Sequence, residues 1–168
     1  MEKHSYRLPE PYPEIICNGN NPHDVQLLLP LYAGNNSELT AILQYSYQHV
    51  VLANRCDEVA QALHDISIIE MHHLELLAQA ICAMGGNPRY VNPNTRSWWN
   101  AGAVNYEQNL CGALLANLKA ETEACNVYHA TARQVKNASL CALLNRIAAD
   151  EKLHIDIFTQ LINCHCRK

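Results

Sequence analysis

An all-α fold, a bundle of four long helices, is what this sequence predicts, on three observations. Apolar residues recur at alternating steps of four and three along four separate stretches, the spacing of a bundle interior. Apolar residues make up 49% of the chain and only 6 of its 168 residues are Gly, a composition that suits a helical globule with one good-sized core. Two of the four stretches carry the same interruption, Glu-x-x-His-x-acid: Glu70-Met71-His72-His73-Leu74-Glu75 and Glu151-Lys152-Leu153-His154-Ile155-Asp156.

In chain order, residues 1–23 carry Pro9, Pro11, Pro13 and Pro22 with little periodicity, and read as an extended arm lying on the body or on a partner subunit. The first helix starts at Asp24 or Leu31, with Pro30 leaving the start open, and runs to Asn54 on the seam Glu38, Ile42, Tyr45, His49, Leu52. The second covers Asp57–Met84 and stops at Gly85-Gly86. A connection of roughly twenty residues follows, long enough to cross the bundle and expected to pack through Trp98 and Trp99. The third helix spans Val104–Val135 and the fourth Ser139–Ile162, joined tightly near Asn137. Bundle residues are thus 24–163, with 164–168 a short Cys/His tail.

Both Glu-x-x-His pairs fall on seams. One reads Val59, Leu63, Ile66, Glu70, His73, Leu77, Ala80, Met84; the other Leu140, Leu144, Ile147, Glu151, His154, Phe158, Leu161. Glu and His three apart project from one helix face, at positions that should hold Leu or Ile. An unpaired buried carboxylate costs roughly several kcal/mol or neutralises itself. A divalent ion supplies the missing charge; a buried Glu–His hydrogen-bond network is the alternative. Glu121 lies on the third seam, whereas Glu123 sits about 200° round the helix and faces outward.

The halves repeat. Glu38 precedes Tyr45 by seven residues, as Glu121 precedes Tyr128, and each half adds one Glu-x-x-His. Folded together, two hairpins place four carboxylates and two imidazoles around one point. Oxygen-rich ligation with one His per ion suits iron or manganese. Glu70 and Glu151 share a face with their own His and are expected to bridge, leaving Glu38 and Glu121 terminal. The halves then offer matching, symmetric shells. Apolar neighbours such as Ile42, Ile66, Leu118 and Phe158 predict little room for a large organic molecule.

Ser37–Tyr45, Glu70–Leu77 and Asn117–Glu121 resemble the manganese-catalase and rubrerythrin branches of the ferritin-like dimetal carboxylate superfamily, a likeness that covers residues 24–162. The resemblance implies a ferritin-like four-helix bundle with a long crossover between helices 2 and 3. It implies two divalent metal ions, Fe or Mn, on Glu38, Glu70, His73, Glu121, Glu151 and His154. Tyr45 and Tyr128 resemble the family's tyrosines just outside the ligands; core filling is their other reading. The chain departs from rubrerythrins in lacking any Cys-x-x-Cys and in carrying Ala124 three residues after the helix-three Glu.

Around this centre, Asp150 is placed to orient an imidazole across the bundle. Glu75 and Asp156 belong on the solvent side, His72 at the surface or an interface, and His49 in the core. Of the eight cysteines, Cys56, Cys82, Cys111, Cys125 and Cys141 read as small hydrophobes in helices, and Cys164 and Cys166 as free thiols in the tail.

Net charge is −4 with no Lys/Arg cluster, which argues against nucleic acid or an anionic membrane surface as partner. No apolar run reaches membrane-spanning length, and the first residues lack the apolar segment of a signal peptide, so the cytoplasm is the expected location. The expected function is a non-haem dimetal oxidoreductase acting on hydrogen peroxide, catalase-like or peroxidase-like, with dioxygen as the other oxidant. An external electron donor and a homo-oligomer, dimer or larger, accompany that reading. The alternatives are a ferroxidase or iron-handling protein, and a coat or structural component that retains a metal site.

Overall fold

The computed structural model describes residues 6–17 and 19–166; the remaining parts of the expected arm and tail lie outside them. Five α-helices account for most of this: α1 (Pro22–Ala33), α2 (Glu38–Leu52), α3 (Asp57–Ala83), α4 (Leu110–Ala132) and α5 (Ala138–His165). The two strands β1 (Val91–Asn92) and β2 (Ser97–Trp98) pair antiparallel inside the crossover, with Val91 opposite Trp98. α2 packs along α3 and α4 along α5, so the bundle is two helical hairpins joined by the long α3–α4 link. This is the expected ferritin-like four-helix bundle.

Local chemistry sets the helix ends. Ser37 caps α2 by accepting from the Thr40 amide, Asn109 caps α4 through Gly112 and Asn137 caps α5 through Leu140. α3 ends where Gly85 takes a φ of +79°, a conformation that costs Gly nothing, and Gly86 N–H closes back onto the Ile81 carbonyl at 2.8 Å.

The first expected helix is divided. α1 stops at Gly34, and Gly34-Asn35-Asn36-Ser37 turns the chain before Ser37 starts a new helix. Seam periodicity runs through the break, which is why the spacing alone reads as one helix. Pro30 sits inside α1 without ending it. Buried Asp24 then ties α1 to the α4–α5 turn by accepting from the Lys136 and Asn137 amides at 3.0 and 2.9 Å.

Two further boundaries move. α4 begins at Leu110 rather than Val104, because a 3-10 turn at Ala101–Ala103 and an extended stretch precede it. α5 continues to His165, so Cys164 and His165 belong to the helix rather than to a tail. Cys166 is not a free thiol: it pairs with Cys111 at the start of α4, with Cα atoms 5.6 Å apart. Of the crossover tryptophans, Trp99 packs inward and donates to Thr40 at 3.0 Å, while Trp98 is exposed.

The seams bury as spaced. Every residue of the α3 and α5 seams is buried, and two apolar clusters, one centred on Leu77, Ile81, Leu144 and Ile147, the other on Leu63, Ile66, Leu114 and Phe158, flank a polar middle. Among the described residues no helix is long and apolar enough to cross a membrane.

Candidate metal centre

Six side chains meet between the apolar clusters, each placed by its helix seam. Glu38 comes from α2, Glu70 and His73 from α3, Glu121 from α4, and Glu151 and His154 from α5, and all six are buried. They form two overlapping groups: Glu38, Glu70, His73 and Glu151, then Glu70, Glu121, Glu151 and His154. Within each group one ligand atom per residue lies within 4.8 Å of the others. Glu70 and Glu151 belong to both groups, whereas Glu38 and Glu121 each belong to one.

Both imidazoles turn Nδ1 inward. His73 Nδ1 lies 3.0 Å from Glu70 and 3.3 Å from Glu151; His154 Nδ1 lies 3.0 Å from Glu70 and 3.5 Å from Glu151. Glu70 Oε1, Glu151 Oε1 and His154 Nδ1 are buried without a hydrogen-bond partner and all belong to this cluster. Buried polar atoms are normally satisfied. Three orphaned lone-pair donors in one place, all oxygen or imidazole nitrogen, fit a pair of divalent cations.

Electrostatics point the same way. Burial, with the charges of Glu70 and Glu151, holds the Glu38 carboxyl well above its usual range; burial and Glu151 push Glu121 up to about 8. At Glu70 and Glu151 burial also acts upward, but the imidazoles outweigh it and both carboxyls are lowered. Burial acts downward on His73 and His154, and their carboxylate neighbours outweigh it, raising both well above the ordinary imidazole value. Without metal the cluster thus favours the charged form of both imidazoles and of Glu70 and Glu151, and the neutral form of Glu38 and Glu121.

The tyrosines reach across the hairpins. Tyr45 of α2 donates to Glu121 of α4, and Tyr128 of α4 donates to Glu38 of α2. Each hydroxyl is thus bonded to a carboxylate that belongs to one of the two groups alone.

The outer imidazole nitrogens meet unlike partners, which the symmetric reading missed. His73 Nε2 faces the buried Asp150 carboxylate at 3.3 Å, as expected of Asp150, and the Tyr12 hydroxyl at 3.3 Å. His154 Nε2 donates instead to the Tyr6 backbone carbonyl at 2.8 Å. The arm therefore lies on the bundle and completes the centre. A backbone carbonyl leaves no trace in a residue pattern, so no sequence signal announces Tyr6.

The expectation of a cramped site is also corrected. A cleft of about 580 Å³ opens between α2 and α4 onto Glu38, Tyr45, Glu121 and Tyr128. Its walls are short because Ala41, Ala116, Ala120 and Ala124 stand where larger side chains would close the gap, and it reaches the surface beside Asn36 and Lys119. The spacing of four from Ala116 to Ala124 was the available signal.

Of the remaining residues, Glu75 and Asp156 are exposed and paired with Gln79 and Lys152. His72 is half-exposed and meets the Tyr12 ring edge-on, and Glu123, outside the six-residue cluster, lines the cleft, paired with Lys119 and accepting from Asn36. His49 is half-buried, held by the Ala60 carbonyl at 2.8 Å.

Two hairpins linked by a crossover, with carboxylates and imidazoles repeated at the seam between them, define a ferritin-like protein. Residues 31–164 match the Ferritin family, described as a ferritin-like domain, and the chain belongs to that family. The solved structure of wild-type KatB, a manganese catalase from Anabaena, superposes with a TM-score of 0.83 at 25% identity, covering 98% of this chain and 80% of KatB. A probable manganese catalase of Clostridium acetobutylicum is 23% identical over 171 residues, spanning 89% of this chain and 75% of that protein. Bacterioferritin BfrA of Mycobacterium tuberculosis matches with a TM-score of 0.71 at 25% identity, over 88% of each chain.

Proposed function

We propose that this protein is a dimetal oxidoreductase that consumes hydrogen peroxide. The observation that carries the reading is the pair of ligand groups sharing Glu70 and Glu151, each completed by one further Glu and one His. Glu38 and His73 would hold one ion and Glu121 and His154 the other, with Glu70 and Glu151 available to both. A bound manganese or iron pair supplies a two-electron reservoir.

The chain's own residues shape what reaches that pair. Tyr45 and Tyr128 fix the terminal carboxylates from the cleft side. Gln44, on the cleft wall, donates a hydrogen bond to Asn117 at 2.8 Å, and Asn117 donates in turn to Gln48, so these buried amides hold α2 against α4 beside the cleft. Manganese-catalase relatives support peroxide as substrate. A cytoplasmic homo-oligomer, with an external donor only if the cycle is peroxidatic, completes the proposal.

The test is direct. Purified protein is loaded with Mn(II) or Fe(II), its metal content measured, and oxygen release followed after peroxide addition without reductant. Two ions per chain and sustained oxygen release are expected of a catalase; peroxide loss only with an added reductant marks a peroxidase. Two bound ions with no peroxide loss under either condition overturn the proposal.

The second reading is iron handling. The open cleft and the bacterioferritin likeness favour it. Catalytic Fe(II) oxidation by dioxygen with iron retained beyond two ions per chain would identify it.

A further inference from the structure

The two hairpins repeat their inward-facing groups, but the groups behind the imidazoles do not repeat. Asp150 immediately precedes Glu151 in α5; the residue in the same register before Glu70 is Ile69, which cannot accept a hydrogen bond. Asp150 therefore serves His73, and among the described residues no carboxylate is recorded on His154 Nε2.

Asp150 is held with unusual completeness for a side chain outside the ligand set. It is fully buried and accepts from the Leu8 amide at 2.8 Å and the Tyr12 hydroxyl at 2.5 Å. Arg146 pairs with it at 2.8 Å, and His73 Nε2 lies 3.3 Å away. Arg146 also donates to the Glu10 and Leu8 carbonyls and stacks its guanidinium 4.5 Å from the Tyr12 ring centre. The arm thus clamps one carboxylate against one imidazole. Among the described residues His154 Nε2 has a neutral peptide oxygen, that of Tyr6, as its hydrogen-bond partner. A carboxylate behind an imidazole fixes the ring and makes its inner nitrogen a stronger donor; a carbonyl does so less.

We infer that Asp150, clamped by Tyr12 and Arg146, is a positioning residue that makes the two metal positions unequal, so that the ion on Glu38 and His73 is bound more tightly than the ion on Glu121 and His154. The inference rests on the dimetal reading above. It means that the protein fills in order, and that a partly loaded chain carries its ion on the His73 side.

Mn(II) titration of the metal-free, full-length chain by calorimetry tests this without reference to turnover. Wild type is expected to show two dissociation constants about tenfold or more apart. Glu121→Ala leaves one ion that keeps the tighter constant; Glu38→Ala leaves one ion with the weaker. Asp150→Asn is expected to weaken the tighter constant about tenfold and move the weaker less than about twofold. Tyr12→Phe keeps the carboxylate, removes one of its bonds and shifts the same constant by a smaller factor, so it serves if Asp150→Asn does not fold. A general loss of structure moves both constants together. Equal constants in wild type, or both constants falling alike in Asp150→Asn and Tyr12→Phe, overturn the inference. No Mn(II) uptake at all overturns the dimetal reading instead.

Discussion

Tyr45 on α2 donates its hydroxyl hydrogen bond to Glu121 on α4, across the gap between the two hairpins. Tyr128 returns the arrangement to Glu38. Replacing either Tyr by Phe leaves a buried terminal carboxylate short of a partner, a loss of about 1–3 kcal/mol. We expect Tyr45→Phe and Tyr128→Phe each to lower the stability of the metal-free protein by that amount in urea unfolding. A change below about 0.5 kcal/mol in both would count against the contacts.

Stability without metal should depend on pH with a defined sign. Glu121 holds its proton to about 8 when folded but releases it near 4.5 when unfolded, and His73 and His154 are likewise raised above 6.5. Between those values the folded chain binds more protons than the unfolded one, so stability falls as pH rises from about 4.5 to 8. The lowered Glu70 and Glu151 act in the opposite sense, below about 4.5. Metal binding displaces the retained protons, so affinity rises over the same window. Melting temperatures of the metal-free and loaded protein from pH 5 to 8 should diverge; parallel curves would contradict the charge balance.

Shared and terminal carboxylates should differ in consequence. Glu70→Ala removes a member of both groups and is expected to abolish paired binding, whereas Glu121→Ala leaves one ion. Glu123→Ala, on the face paired with Lys119, should bind two. Metal analysis after dialysis distinguishes the three.

The cleft gives a way to separate access from assembly. Ala120→Phe places a ring in the α2–α4 gap. Metal content should stay at two ions per chain while kcat/KM for peroxide falls by about tenfold or more, as expected for a blocked approach. An unchanged kcat/KM would mean that substrate arrives by another route.

Cross-linking Cys111 to Cys166 closes a loop of 55 residues. Chain-entropy arguments give about 4 kcal/mol for such a loop. Cys166→Ser, or reduction of the wild type, is expected to lower unfolding free energy by about 2–4 kcal/mol; identical denaturation curves with and without reductant would show that the bond does not form.

Much of the centre was legible because it is written in side chains at helical spacing. Glu38, Glu70, His73, Glu121, Glu151 and His154 stand on seam positions, and a seam position is buried wherever the hairpins close. Asp150 was legible from its place one residue before Glu151 on the α5 seam. The division of the first helix was hidden because its seam continues in phase beyond Gly34. The Tyr6 carbonyl was hidden because every residue has one. The Cys111–Cys166 pair was hidden because nothing in cysteine spacing ties residue 111 to residue 166 rather than to Cys125 or Cys141.

The arm's attachment also dictates when the centre can mature. Tyr6, Leu8 and Tyr12 precede every bundle helix in the chain, yet their anchors, His154, Arg146 and Asp150, lie in α5, separated by as many as 148 residues. No nascent chain lacking α5 can seat both imidazoles. The six-residue cluster is therefore complete only once the arm, synthesised before the bundle, is fastened over α5, synthesised after it.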